Sequence, residues 1–207
     1  MLITMSWIKI INYSSAQGVL KRLYDRIKGA DNYIDNILLV HSLRPHSLSG
    51  HMALYKNVLH HRENTLPKSL LEMLGVYVSW LNGCDYCYCH HFAGLQRLLQ
   101  NEPRAEAIRH ALTVDTSNWA DVFNERERAL LDYARLLTQA PAALTGEMVE
   151  KLKAVGLDDG EILEANQVIS YFAYANRTVL GLGVNTEGER LGLSPGDMDD
   201  AGNWQHQ

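Results

Sequence analysis

Three cysteines lie within six residues of one another, in Leu81-Asn82-Gly83-Cys84-Asp85-Tyr86-Cys87-Tyr88-Cys89-His90-His91. Thiols clustered beside histidines point to chemistry rather than to packing. A helix turns about 100° per residue. Cys84, Cys87 and His91, spaced i, i+3 and i+7, therefore share one stripe, which Leu95 and Leu98 continue toward the core. Cys89 points roughly the other way and His90 off to the side, so both are expected to be bystanders. On such a helix the Cα atoms of Cys84 and Cys87 are about 5–6 Å apart, a separation that permits a disulfide, whereas Cys89 is too far from Cys84. The pair falls in a first helical turn, where unpaired backbone N–H groups favour a thiolate. His91, one turn beyond Cys87, can exchange a proton with it. Together these parts describe an activated cysteine with a resolving partner.

Three chemistries fit such a cluster. The cysteines can be ordinary core residues, since buried free cysteine is common. They can bind a metal through Cys84, Cys87, His91 and a fourth ligand. A zinc module normally brings a second Cys/His pair; here the nearest later histidine is His110 and there is no second C-x-x-C. They can also carry out thiol redox catalysis, the reading that ranks first. A thioredoxin arrangement fits poorly, because its C-x-x-C follows a strand in a βαβ unit and no alternating strand pattern is present.

The elements that must position these residues read as successive helices. Ser14 or Ser15 can cap a segment running through Arg26 and ending at Gly29, with Val19, Leu20, Leu23, Tyr24 and Ile27 on one face. A second helix is expected over 33–43, closed before Pro45, and a third over about 47–60. Pro67 suits the first turn of a helix; that helix carries Leu70, Leu71, Glu72, Leu74 and Tyr77, and Asn82-Gly83 interrupts it. Further helices follow over about 84–100 and 103–112. A linker over 113–119 leads to an amphipathic helix at 124–137, one capped by Thr145 and ending at Gly156, and a long one opened by Asp158 or Asp159 and running to about Leu180. The expected fold is all-α: a single domain over 1–185 with its redox core at about 66–112, then a mobile C-terminal tail over 186–207.

Composition narrows the class. With 207 residues the chain can bury a sizeable core without disulfide support. Apolar residues make up 46% and charged residues 21%, which argues against disorder or a fibrous repeat. The net charge of −5 gives no electrostatic footprint for nucleic acid or an anionic membrane, so neither is expected as a partner. No signal peptide and no apolar run of membrane-spanning length is read, so a reducing cytoplasm is the default location, with the cysteines starting as thiols. The apolar helix faces exceed what a few short helices cover, and self-association into a homo-oligomer is expected.

The cluster with its flanks, Glu72, Ser79, Asn82, Cys84, Tyr86, Cys87 and His91, resembles the alkylhydroperoxidase D core of the carboxymuconolactone decarboxylase superfamily, especially its peroxidase-related branch. The twelve-residue step from Glu72 to Cys84 matches, as do Tyr24-Asp25, Asp35-Asn36-Ile37-Leu38 and Tyr171-Phe172-Ala173-Tyr174-Ala175-Asn176-Arg177. The resemblance implies a thiol peroxidase acting on hydrogen peroxide or alkyl hydroperoxides, with no cofactor and no metal. In it Cys87 attacks the peroxide, Cys84 resolves, Glu72 and His91 relay protons, and a dithiol or lipoyl-type reductant reopens the disulfide. Helix-terminus logic instead favours Cys84 as the thiol of lower pKa. The alternative is a non-enzymatic helical oligomer whose thiol pair senses redox state or binds metal. One requirement follows from geometry alone. In an unbroken helix Glu72 would lie roughly 18 Å from Cys84 at about 1.5 Å per residue, so the Asn82-Gly83 break must fold two helices together. Asn176-Arg177 is read as structural, Tyr86 as a packing or hydrogen-bonding group, and His41, His46, His51, His60, His61 and His110 as surface or packing residues.

Overall fold

A computed structural model describes residues 5–193. Ten α-helices follow in chain order: α1 (Gly18–Ile27), α2 (Asn36–Leu39), α3 (Pro45–Leu59), α4 (Lys68–Leu81), α5 (Asp85–Leu99), α6 (Glu102–Thr113), α7 (Trp119–Val122), α8 (Glu125–Gln139), α9 (Gly146–Ala154) and α10 (Asp159–Leu182). Among the described residues there is no strand, and no helix is long and apolar enough to cross a membrane.

Helix α4 is the hub. It is apolar nearly all round, burying Leu71, Leu74, Val76, Tyr77 and Val78, as a helix covered on several sides must be. Helix α5 folds back along it, α10 lies across it, and α8 packs on another side. The crossing with α10 depends on Gly75. A Cβ there would sit 2.3 Å from the ring of Phe172, which is fully buried. That ring cannot retreat easily, since it stands edge-on to His91 at 4.5 Å and to Tyr171 at 5.4 Å. Gly75→Ala is therefore expected to destabilise by about 1–3 kcal/mol, the usual range for overpacking. A thermal melt checks it, at roughly 2–4 °C per kcal/mol for a chain of this size.

Helix ends follow local chemistry. Asn124 opens α8 and Asp158 opens α10 with capping boxes, each paired to a glutamate three residues on, Glu127 and Glu161. The expected helix over 33–43 shrinks to α2, four residues long. Tyr33 and Asp35 are held extended, and the Asn36 side chain donates to the carbonyls of Asn185 and Glu187 at 2.8 and 3.3 Å. Contacts with a distant segment override the local preference there. Ser14 and Ser15 form a short 3-10 turn instead of capping α1, which begins at Gly18. The chain end also differs from expectation. Residues 186–193 run back over α2 and α5, with the Arg190 N–H donating to the Tyr33 hydroxyl at 2.9 Å, and the remainder of the expected tail lies outside the described residues.

Candidate active site

The thiol pair sits where α4 ends and α5 begins. Asn82 closes α4, and Gly83 takes φ +66°, a left-handed conformation that suits glycine. The Gly83 N–H donates to the Trp80 carbonyl at 3.0 Å and the Cys84 N–H to the Ser79 carbonyl at 2.9 Å. This is a Schellman ending. Cys84 is then the N-cap of α5, and its carbonyl accepts from the Tyr88 N–H at 3.0 Å. One residue thus ends one helix and starts the next, and the chain reverses direction in between. The reversal brings Glu72, mid-way along α4, to α5: its Oε2 lies 2.7 Å from His91 Nδ1. Gly94, one turn beyond His91, leaves room for that carboxylate, which a Cβ would approach to 3.6 Å.

Behind the cysteines a buried amide holds the turn. Asn176 of α10 is fully enclosed; its Nδ2 donates to Ser79 Oγ at 3.1 Å, and its Oδ1 accepts from Asn82 Nδ2 at 2.9 Å. Ser79 Oγ in turn donates to the Gly75 carbonyl at 2.7 Å. Asn176 therefore ties the helix break to α10, a structural role as the sequence reading had it, and it also favours the thiolate form of both cysteines.

Cys84 and Cys87 are buried free thiols. Cys84 is held below its usual range, chiefly by the hydrogen bond from Cys87, against the opposing effect of burial, and with help from Asn176. Cys87 is pushed well above its range, because it keeps the shared proton, is buried and faces the charge on Cys84. Of the two, Cys84 is the thiol that ionises first, in the direction the helix-terminus argument gave. With Cys89→Ser in the background, ultraviolet thiolate absorbance is expected in two separated steps, one below the ordinary cysteine range and one well above it. A single two-proton step in the ordinary range contradicts the coupling of the pair.

Cys87, not Cys84, lines a cavity of about 50 Å³. Glu72, His91, Tyr86 and His90 line it too, with Ile37, Leu38, Tyr55, Tyr171 and Leu193 as an apolar and phenolic wall and Lys68 and Arg97 also present. A water needs about 10–15 Å³ of such space, so the cavity accepts a few water-sized groups.

Of the four residues singled out in the sequence, Cys87, Glu72 and His91 line this cavity, and Cys84 stands at the helix junction outside its wall. The expected stripe holds for Leu95, which is buried, but Leu98 is 40% exposed at the cavity rim. Cys89 is half-buried away from the cavity wall, and burial raises its thiol. His90 is not a bystander. It lines the cavity, packs on Tyr86 with ring centroids 4.6 Å apart, and lies 3.1 Å from Glu189. His51 also lines the cavity and stacks on His41 at 4.8 Å, both buried; His46 and His110 are exposed. The Tyr86 hydroxyl donates to Glu189 and accepts from the Ile37 N–H at 3.1 Å, so its hydrogen-bonding role holds. Among the described residues no three His, Cys, Asp or Glu side chains are grouped to hold a metal ion.

The all-α fold that places these residues is alkylhydroperoxidase D-like. Residues 45–136, which span α3 to α8, match the model of the carboxymuconolactone decarboxylase family. Among solved structures the chain is similar to an alkylhydroperoxidase AhpD core, an uncharacterized peroxidase-related protein from Ralstonia eutropha JMP134. The identity is 19%, with 88% of this chain and 93% of that one covered and a TM-score of 0.75. It is also similar to an uncharacterized peroxidase-related protein from Silicibacter sp. TM1040, at 22% identity, 89% and 95% coverage and a TM-score of 0.73. The debrominase Bmp8, solved in complex with 2,3,4-tribromopyrrole, shares the fold at 20% identity, 87% and 91% coverage and a TM-score of 0.66. No curated protein matches the sequence.

Proposed function

We propose that the protein is a thiol-dependent peroxidase that reduces hydrogen peroxide or small alkyl hydroperoxides through Cys87 and Cys84. The observation that carries this reading is a pair of buried free thiols of which only Cys87 lines a small cavity, alongside a Glu72–His91 pair. His91, backed by Glu72, takes one proton from the two thiols and leaves the monoanion. A peroxide enters the cavity. The Cys87 sulfur attacks one peroxide oxygen while its proton passes to Cys84, so an S–O bond forms and the O–O bond breaks. The products are a Cys87 sulfenic acid and an alkoxide or hydroxide, which must be protonated. The Cys84 thiol then attacks the Cys87 sulfur and releases water, closing the disulfide. A dithiol or lipoyl-type reductant reopens it by exchange and becomes oxidised in turn.

The cavity size favours hydrogen peroxide and short alkyl hydroperoxides over bulky ones. Self-association belongs to the same reading, since Leu163, Tyr174 and Leu180 leave apolar surface exposed along α10.

The test is turnover of hydrogen peroxide and tert-butyl hydroperoxide with dihydrolipoamide or dithiothreitol, beside debromination of 2,3,4-tribromopyrrole. Peroxide-dependent consumption of dithiol is expected. No turnover with stoichiometric zinc retained would favour the metal-binding alternative. Debromination without peroxide turnover would move the reading to reductive dehalogenation.

A further inference from the structure

A second carboxylate–histidine pair presents its histidine to the same cavity. His90 Nε2 lies 3.1 Å from Glu189 Oε2, with the two side chains only 11% and 2% exposed. Glu189 belongs to the segment 186–193 that folds back over the site. Gly192 of that segment packs so closely on Ala93 that a Cβ would lie 3.0 Å away, and Leu193 joins the cavity wall. The two carboxylate oxygens are divided between tasks. Oε1 accepts from the Tyr86 hydroxyl at 2.9 Å and from the Asn36 N–H, contacts that anchor the segment. Asn36 and Tyr33 anchor it further through the backbone of Asn185, Glu187 and Arg190. None of these contacts involves His90. The second oxygen is left to orient an imidazole of the cavity wall, the arrangement that fixes an acid–base histidine.

We propose that His90 is a second acid–base group of the active site and that Glu189 is the positioning residue that holds it, so that the chain's C-terminal segment completes the site. The proposal rests on the peroxidase reading above and supplies the proton that reading leaves open. The thiol monoanion holds one proton, which departs in the water released on disulfide closure. His91 passes the proton it took from the thiols to solvent, and the leaving alkoxide or hydroxide takes its own from a second histidine of the cavity wall. His90 gives it, forming the alcohol or water, and regains a proton from solvent before the next turnover. His91, backed by Glu72, handles the thiol proton. Two carboxylate–histidine pairs thus divide the work of base and acid around one sulfur.

The experiment measures kcat and KM with hydrogen peroxide for His90→Ala, Glu189→Gln and the double variant, with and without added imidazole. Each single variant is expected to lower kcat by about 10–100-fold, short of the full range for general acid catalysis, with KM changing little. The double variant should fall no further than His90→Ala alone, because the two residues act as a unit. Imidazole should restore part of the activity of His90→Ala. A Glu189 that only anchors the segment would instead raise KM and give additive effects, and His90→Ala would not respond to imidazole; that pattern overturns the proposal. Exchange of the thiol pair with hydroxyethyl disulfide is the independent arm, since its thiolate leaving group also needs a proton. If the unaltered protein fails to turn over peroxide, the peroxidase reading falls, and exchange alone decides. Slower exchange in both variants supports the pair, and unchanged exchange overturns it.

Discussion

Cys87→Ser is expected to abolish peroxide turnover, with a loss on the order of 10³-fold or more, as removal of a nucleophile produces. The reason is access. Both thiols are buried, but only Cys87 borders the cavity, while Cys84 is enclosed at the helix junction against Cys87 and Asn176. Cys84→Ser should fail differently. It leaves the attacking sulfur in place and removes the resolving one, so one equivalent of peroxide is consumed and a sulfenic acid persists on Cys87, where dimedone traps it. Cys89→Ser should retain most of the activity, since Cys89 takes no part in the pair or the cavity wall. The lower pKa of Cys84 does not conflict with this order: once ionised, Cys84 serves as the local base for the attack. If dimedone labels Cys87→Ser and not Cys84→Ser, the roles are reversed.

Glu72→Gln is expected to lower kcat by about 10²-fold or more, the range for loss of a general acid–base relay. The substitution preserves volume beside Gly94 and can keep a hydrogen bond to His91 at the position where Oε2 now lies 2.7 Å away. What it removes is the charge that stabilises an imidazolium. His91→Asn should cost a similar amount, and the double variant should cost little more than either, because each residue acts through the other. Stopped-flow measurement of Cys87 oxidation, beside steady-state kcat, places the loss in the peroxide half of the cycle. Unchanged oxidation rates in both variants would remove the relay from the mechanism.

Much of this site was legible in the sequence. The 3.6-residue apolar period placed α4, α5, α8 and α10 within a few residues, and the turn residues Asn82-Gly83 marked the reversal between α4 and α5. Simple length arithmetic then required that reversal to bring Glu72 to the cysteines, and the 2.7 Å contact with His91 meets the requirement. Helical phase put Cys84, Cys87 and His91 on one stripe; Cys87 and His91 line the cavity together, and Cys84 caps the helix beside them. It failed for His90. Phase ranks the faces of a helix but cannot tell what covers each of them. The cover here is Glu189, 99 residues further on, in a polar Gly-containing stretch that carries no periodic signal. The same segment explains why the helix expected over 33–43 is cut to α2: its anchors occupy the backbone and side chain of Asn36. Asn176 was visible as an unusual polar residue in an aromatic-rich helix, but its bonds to Ser79 and Asn82 depend on the α4–α10 crossing that Gly75 permits.

The most direct test of the central claim is to treat the fully reduced protein with one equivalent of hydrogen peroxide and map its cysteines by mass spectrometry. The account predicts an intrachain Cys84–Cys87 disulfide, a free Cys89, and recovery of both thiols on adding dihydrolipoamide. Unmodified thiols, or a bridge that includes Cys89, would contradict it.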